Sequence, residues 1–255
     1  MAGVGVAQAN VQFAGGPKNA KIMFMSTASI HRPALKPEEQ LYSGDRMSRR
    51  EFHKIYEKTP DGFKAELIGG TVYVASPLKL RHGTNHPYLI GLFFVYQGAT
   101  PGVELADNTT ILLGDESEPQ PDIFLRVLPE HGGQSRTSDD DYVDGPPELV
   151  AEVAHSSRSI DLNAKREDYA RYGVLEYLVV NLAEHRLHWL DLRSGQELSP
   201  DPDGVIRVRC FPGLWIHAEA LLAKDFGRLM ATLQQGLVSP EHTEFVGRLA
   251  NARRT

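Results

Sequence analysis

The sequence of 255 residues predicts an α/β protein with a central mixed β-sheet flanked by helices. Hydrophobic residues form 41% of the chain and charged residues 24%, which is the balance of a globular protein and not of a disordered or fibrous one. Helical and strand-like patterns follow one another in the order helix, three strands, helix, strand. Because no internal repeat interrupts this order, one domain is favoured over two.

The N-terminal part of the chain has little periodicity. Residues 1–46 carry Gly, Pro, Ala and Ser without a sustained pattern, so we expect a loose extension that ends near Met47. Ser48 and Glu51 have the spacing of a capping box and predict a helix over 49–58.

A tight hairpin and a buried helix are predicted next. Two β-rich runs, 63–68 and 71–75, flank a Gly-Gly dipeptide, which suits the two-residue turn of a hairpin. Thr84 or Asn85 can cap the following helix, with Pro87 in its first turn. The helix is apolar on most sides and should therefore lie against the sheet.

The remaining patterns complete the sheet. They contain short apolar runs, which are typical of interior strands. They also contain a helical pattern that stops at a glycine, a common helix end. The predicted core elements are strands 103–113, 121–128 and 148–154, helix 161–172 and strand 175–180. Additional strands and helices are predicted at 185–190, 205–211, 217–231 and 240–252. We assign 47–220 to the domain and 221–255 to a C-terminal helical extension.

Composition narrows the class of protein. The formal net charge is −6, so a protein that covers phosphates with a generally basic surface is disfavoured, although a local basic groove is not. The single cysteine, Cys210, cannot form an internal disulfide, and no cysteine cluster is available for zinc. No apolar run approaches the length of a membrane span, and the N-terminus lacks the apolar region typical of a signal peptide. We expect a cytoplasmic protein without a membrane partner.

Common catalytic motifs are missing from the sequence. It contains neither a phosphate-binding P-loop nor a GxSxG nucleophile elbow, and no HExxH zinc motif. His82 and His86 are four residues apart, but no glutamate follows His82 and the pair straddles the predicted helix start. A zinc pair is therefore disfavoured, and His82 is expected to cap or pack at the helix entrance.

Two carboxylates interrupt strands that are otherwise apolar. Asp122 opens the second core strand, and Glu152 lies inside the third. Burying an unpaired carboxylate costs several kcal/mol, so each needs a proton, a cationic partner or a metal. Because Mg²⁺ often takes one or two carboxylates and keeps water at its other positions, two such acids on adjacent strands suit a hard cation.

Lys165 is a third candidate. From residue 80 onwards the chain uses Arg fourteen times and Lys only at 165 and 224. Lys165 lies in the first turns of the helix after the Glu152 strand, from which a compact ammonium can reach a water or a phosphate oxygen. The alternative is a solvated lysine on a helix face.

Several spaced motifs together resemble the Uma2 family, formerly a domain of unknown function. The matching segments are Ala65 to Gly70, His82, Gln120 to Ile123, Leu149 to Val153, Asp161 to Lys165, Tyr169 and Gly173 to Tyr177. The resemblance covers roughly 47–220. It implies a branch of the PD-(D/E)xK superfamily, with a restriction-endonuclease-like core preceded by a hairpin and followed by extra strands and helices.

The resemblance also implies roles for individual residues. Asp122 corresponds to the Asp of the PD motif and Glu152 to the acid of the (D/E)xK motif, and both are expected to bind metal. The lysine of that motif is replaced by Ala154 here, so activity would depend on Lys165 supplying the cation from the helix. Glu66 resembles an additional upstream acid of the family that completes the metal shell or holds a water, although a surface glutamate is the alternative.

Three functions compete at this point. The first is a Mg²⁺- or Mn²⁺-dependent endonuclease acting on nucleic acid, most simply DNA, as a monomer or a homodimer. The substrate would be held by a local basic patch, with candidates Arg49, Arg50, Arg81, Arg158 and Arg166. The second is a non-catalytic module that binds nucleic acid or protein, which the loss of the strand lysine favours. The third is a metallohydrolase of small phosphoesters, which suits the acidic composition.

Overall fold

A six-stranded mixed sheet forms the centre of the computed structural model, which describes residues 40–76, 80–154 and 159–253. The helices are α1 (Arg49–Tyr56), α2 (Leu80–Ala99), α3 (Arg166–Tyr172), α4 (Ala218–Ala223), α5 (Phe226–Leu237) and α6 (Pro240–Ala252). The first seven strands are β1 (Ala65–Ile68), β2 (Thr71–Val74), β3 (Val103–Asp107), β4 (Ile111–Leu112), β5 (Ile123–Val127), β6 (Arg136–Thr137) and β7 (Val143–Asp144). The others are β8 (Leu149–Ala154), β9 (Glu176–Asn181), β10 (Arg186–Asp191), β11 (Gln196–Leu198), β12 (Val205–Arg207) and β13 (Trp215–His217).

The main sheet has the strand order β11-β10-β9-β8-β5-β3. Strands β8 and β9 run parallel, and the other neighbours run antiparallel. Helix α3 lies on the connection between the two parallel strands, as such a connection requires. The core order α2, β3, β5, β8, α3, β9 is therefore the predicted sequence of helix, three strands, helix, strand, and the predicted fold class is confirmed.

The two faces of the sheet bury different clusters. Alternate residues of β8 divide between them: Leu149, Ala151 and Val153 pack with α2 and the C-terminal helices, and Val150 packs with Tyr169 of α3. Because side chains alternate along a strand, Glu152 faces the α3 side. Strand β8 is buried along its whole length, which explains its nearly continuous apolar sequence.

The hairpin and α1 share a smaller core of their own. Ser48 accepts the Glu51 amide hydrogen and the Glu51 carboxylate accepts the Ser48 amide hydrogen, which is the predicted capping box. Helix α1 buries Phe52 against Leu67 and Val72 of the hairpin. This small core holds the hairpin beside the edge of the main sheet.

Two boundaries differ from the sequence prediction. Residues 40–46 are not a loose extension: Leu41 is buried in the hairpin core and the residue 44 amide donates to the Val72 carbonyl. Helix α2 begins at Leu80, before the predicted caps, so Pro87 lies inside it. Proline costs one hydrogen bond there, but extensive burial of the helix compensates. Residues 1–39 lie outside the described part of the chain.

The C-terminal part also departs from its prediction. The predicted helix 217–231 is two helices, because Lys224 adopts a left-handed conformation with φ of 60° and Asp225 caps α5. Leu229, Leu233 and Phe245 of the last two helices join the core on the α2 side of the sheet. Within the described residues, no helix combines the length and apolar character needed to cross a membrane.

The packing of Leu41 predicts a stability effect. Leu41→Ala should lower the free energy of unfolding by about 2 to 4 kcal/mol, because a buried leucine loses its transfer energy and leaves a cavity. Tyr42→Ala is the matched control, since Tyr42 is 57% exposed and should change stability by less than about 0.5 kcal/mol. Urea unfolding of both variants measures the difference. Equal small effects would mean that residues 40–46 contribute nothing to the fold.

Candidate active site

Asp122 and Glu152 meet at one corner of the main sheet. The antiparallel register pairs Ile123 of β5 with Ala151 of β8, and its continuation by one residue brings Asp122 opposite Glu152. The Asp122 amide donates to Glu152 Oε2 at 3.1 Å, and the Val153 amide donates to Asp122 Oδ2 at 2.7 Å. The two acids that the sequence singled out are therefore linked through the backbone of each other's strand.

Lys165 reaches this corner from the helical side. Residues Ile160–Lys165 form a wide helical turn of the π type that leads directly into α3. Lys165 is only 4% exposed, and its Nζ lies 2.8 Å from Glu152 Oε1. It also lies 2.9 Å from Glu66 Oε1 and 3.7 Å from Asp161 Oδ1. The solvated alternative for this lysine is wrong, because its ammonium is buried among carboxylates.

Glu66 comes from the hairpin and joins the same cluster. Its strand β1 pairs with β2 so that Glu66 lies opposite Tyr73. Besides Lys165, the Glu66 Oε1 accepts the Gln120 amide hydrogen at 2.7 Å. Gln120 is two residues before Asp122, so this contact fixes the hairpin next to the start of β5. The surface alternative for Glu66 does not hold either.

His82 and His86 also belong to the site, which the sequence did not favour. His82 Nε2 lies 3.0 Å from Asp122 Oδ2 and 3.1 Å from Asp122 Oδ1. His86 Nε2 lies 3.1 Å from the Asp122 carbonyl oxygen and 3.1 Å from Asp107 Oδ1. Because α2 starts earlier than predicted, both histidines lie on one helical face that points towards Asp122. The signals for this in the sequence were their spacing of four residues and the place of His82 among the segments that resemble the Uma2 family.

Burial and charge shift the titration of the central groups. Burial raises the pKa of Glu152 well above its usual range, and Asp122, Asp161 and Glu66 add to the effect although Lys165 opposes it. Burial opposes the charge of Lys165, but Glu152 and Glu66 outweigh it and hold the Lys165 pKa well above its usual value.

Asp122 and His82 form a second coupled pair. Burial favours the neutral form of Asp122, yet the hydrogen bond from His82 and the Val153 amide outweigh it and lower the Asp122 pKa. The same hydrogen bond raises the pKa of His82. The same corner therefore lowers the pKa of Asp122 and raises the pKa of Glu152.

The donor chemistry of this corner fits a divalent cation. Four carboxylates, those of Glu66, Asp122, Glu152 and Asp161, surround the single ammonium of Lys165. A hard cation would compensate the excess negative charge, with one or two carboxylates and water as ligands. Among the described residues, no group of three or more His, Cys, Asp or Glu side chains is placed to hold a metal ion, so at most two of these carboxylates could bind one directly. Most positions around such an ion would therefore be left to water or to a substrate.

The predicted basic patch is only partly described. Arg49 donates from Nε to the Gly114 carbonyl at 2.6 Å, and Arg166 donates to the Gly195 carbonyl at 2.8 Å. Arg50 is exposed on α1. Arg158 and the side chain of Arg81 lie outside the described part of the structure. Of the predicted patch, Arg49 and Arg50 lie on α1, which packs against the hairpin that carries Glu66. Arg166 lies on α3, directly after Lys165.

Glu152 on β8 and Asp122 directly before β5 thus lie together on two adjacent strands of the mixed sheet. The chain belongs to the Uma2 family, described as "putative restriction endonuclease", whose model matches residues 49–220. The fold is similar to a crystal structure described as a putative nuclease belonging to DUF820 from Anabaena variabilis ATCC 29413. That similarity has a TM-score of 0.51 and 12% sequence identity over 66% of this chain and 97% of the other. No curated protein shows a significant match.

The raised pKa of Glu152 predicts a pH-dependent stability. The preference of the folded protein for protonated Glu152 contributes to stability. This contribution is fully present below the ordinary glutamate pKa of about 4.5, and it is lost as pH rises through the higher pKa of the folded state. Without divalent cations, Glu152→Gln should therefore gain stability relative to the parent as pH rises above about 4.5. The difference in free energy of unfolding between Glu152→Gln and the parent should grow by about 1.4 kcal/mol per pH unit.

The measurement is chemical unfolding in the presence of a chelator, from about pH 4 to about pH 9. This range spans both ordinary and raised carboxyl pKa values. Glu167→Gln, on the exposed side of α3, is the control and should follow the parent at every pH. Parallel curves for Glu152→Gln and the parent would show that Glu152 titrates like an ordinary carboxyl.

Proposed function

We propose that this protein is a Mg²⁺- or Mn²⁺-dependent endonuclease that hydrolyses phosphodiester bonds of nucleic acid, most simply DNA. The observation that carries the proposal is the contact of Lys165 Nζ with Glu152 at 2.8 Å, beside the Asp122 amide bonded to the same carboxylate. One corner thus combines two candidate metal ligands with an ammonium. Membership of the Uma2 family supports the same class of reaction.

Each residue has a distinct role in this proposal. Asp122 and Glu152 would hold the cation, and Glu66 would hold Lys165 or complete the shell through a water. A divalent cation held there would polarise the scissile phosphate and make a water molecule more acidic. Lys165 would orient that water or stabilise negative charge that develops on the phosphate oxygens. His82, bonded to Asp122, would keep this carboxylate ionised and oriented.

The position of Lys165 supports catalysis despite Ala154. In the family pattern that the sequence resembles, the lysine would occupy the strand at position 154, where this chain has a buried alanine. Lys165 brings its ammonium to the Glu152 carboxylate from the neighbouring helix instead. Since an electrostatic role depends on where the charge lies and not on which element carries it, the replacement preserves the chemistry.

A non-catalytic binding module is the competing proposal, and Ala154 is the observation that favours it. A module of this kind would have no requirement for a divalent cation at Asp122 and Glu152. In both proposals the acidic chain must hold nucleic acid through local arginines, so affinity should fall as salt rises. Metal dependence therefore separates the two.

The first test concerns the metal. At about 100 times its dissociation constant, Mg²⁺ or Mn²⁺ should stabilise the parent by about 2.7 kcal/mol, because the cation binds only the folded site. Asp122→Asn should remove most of this increment and all metal-dependent cleavage, while keeping an acceptor for the Val153 amide. Asp203→Asn, exposed and distant in sequence, is the control that should keep both. Melting curves with Mg²⁺ or Mn²⁺ and plasmid cleavage measure the two effects. An equal increment in Asp122→Asn would exclude this site.

The second test concerns the lysine. Lys165→Ala leaves buried carboxylates without a cation and is expected to lose stability, so Lys165→Arg is the better variant. The wider planar guanidinium keeps the charge but cannot occupy the ammonium position, and cleavage should slow by about a hundredfold or more. Lys224→Arg is the matched control and should cleave at the parental rate, because the Lys224 Nζ donates to Thr84 Oγ1 at 2.9 Å on an exposed part of the chain. Parental turnover in Lys165→Arg would contradict a role of this ammonium in catalysis.

A further inference from the structure

A second buried acid on α3 connects the helix to the hairpin. Asp168 is 4% exposed, and its Oδ2 accepts a short hydrogen bond from Ser117 Oγ. The same oxygen accepts the Gly69 amide hydrogen at 3.2 Å, and Gly69 also donates to Ser117 Oγ at 3.0 Å. Three segments that are distant in the sequence therefore meet at one carboxylate.

The contact of Asp168 with the hairpin lies beside the contact of Lys165 with the same hairpin. Asp168 follows Lys165 by three residues on a helix, so both side chains project from the same face. Gly69 follows Glu66 by three residues in the hairpin. The helix and the hairpin are thus joined twice, once by Lys165 with Glu66 at 2.9 Å and once by Asp168 with the Gly69 amide.

Ser117 fixes both elements to the sheet. It lies on the segment between β4 and β5, where the neighbouring Glu118 exchanges backbone hydrogen bonds with Leu67 of the hairpin. The same segment continues to Gln120, whose amide binds Glu66. A shift of the helix away from Ser117 would therefore change the separation between Lys165 and Glu66 as well.

We propose that Asp168 is a positioning residue, which holds the Lys165 helix at the distance from the Glu66 hairpin that keeps the Lys165 ammonium inside the carboxylate cluster. Burying this carboxylate is unfavourable unless its hydrogen bonds compensate. The donors to Oδ2 are the Gly69 amide of the hairpin turn and the Ser117 hydroxyl of the β4–β5 segment. The inference rests on the proposed function in one respect, since Lys165 is the group whose position matters for the reaction.

The experiment measures the position of Lys165 without requiring activity. The full-length chain is treated with an acylating reagent for amines, and the labelling rate of each lysine is followed by mass spectrometry. In the parent, Lys165 should react far more slowly than Lys54, which is exposed on α1. In Asp168→Ala, Lys165 should react at least about tenfold faster while Lys54 does not change, because local opening exposes the ammonium.

Two further variants make the result specific. Ser117→Ala removes the hydroxyl donor and should raise Lys165 labelling in the same direction but less. Asp168→Asn keeps an oxygen acceptor and should restore part of the protection. Glu167→Ala is the matched control, because it removes an exposed carboxylate from the adjacent position of α3 and should leave Lys165 protected. If Asp168→Ala does not fold, Ser117→Ala and Asp168→Asn carry the test.

The outcomes separate this inference from the proposed function. Faster Lys165 labelling together with a lower kcat and an unchanged KM supports both. Faster labelling in a protein whose parent does not cleave nucleic acid supports the positioning role and overturns the nuclease. A lower melting temperature with unchanged Lys165 labelling in the folded variants overturns the positioning role and leaves Asp168 a purely structural residue.

Discussion

The buried ammonium of Lys165 is the interaction on which the site depends. An isolated ammonium at 4% exposure would be strongly disfavoured, so carboxylates must lie close to it. These carboxylates come from each of the elements that meet at Lys165. Glu152 comes from the main sheet, Glu66 from the hairpin and Asp161 from the helical turn that precedes α3. The ion cluster thus joins three elements of the fold. Removal of Lys165 would leave the buried carboxylates without their cation, which is the costly case for buried charge.

The same cluster has more acid than base, and this excess connects structure with function. Burial, together with the neighbouring carboxylates, raises the pKa of Glu152, while the hydrogen bond from His82 and the Val153 amide lower the pKa of Asp122. A divalent cation would compensate the carboxylates together. Metal binding, folding and the ionisation of Glu152 are therefore expected to be linked in one equilibrium.

The backbone that leads to Lys165 has an unusual local geometry. Residues Ile160–Lys165 form a wide helical turn, and such turns inside helices frequently occur at functional sites. The turn brings Asp161 and Lys165 onto one side, with 3.7 Å between Oδ1 and Nζ. Helix α3 then continues to Asp168, which contacts the hairpin one turn further on. The segment that carries the Lys165 ammonium is therefore held at two points, Lys165 and Asp168.

Patterns that act within one element were predictable from the sequence. The capping box at Ser48, the Gly-Gly hairpin and the helix end at Gly173 depend on local backbone geometry, and all three are present. The buried acids Asp122 and Glu152 were also visible, because a carboxylate in an apolar strand needs a compensating partner. The motif resemblance to Uma2 added the candidate roles of Lys165 and Glu66.

Only the tertiary structure decided which distant groups meet. The contact of His82 with Asp122 and that of Asp168 with Gly69 span 40 and 99 residues, and no local pattern encodes either. Helix α2 begins at Leu80 although Pro87 predicts a later start, since burial against the sheet outweighs the lost hydrogen bond. Leu41 is buried because the hairpin offers it an apolar neighbour, which its own polar surroundings do not reveal. Local propensity determines the elements, but the balance of burial and charge between distant elements determines the site.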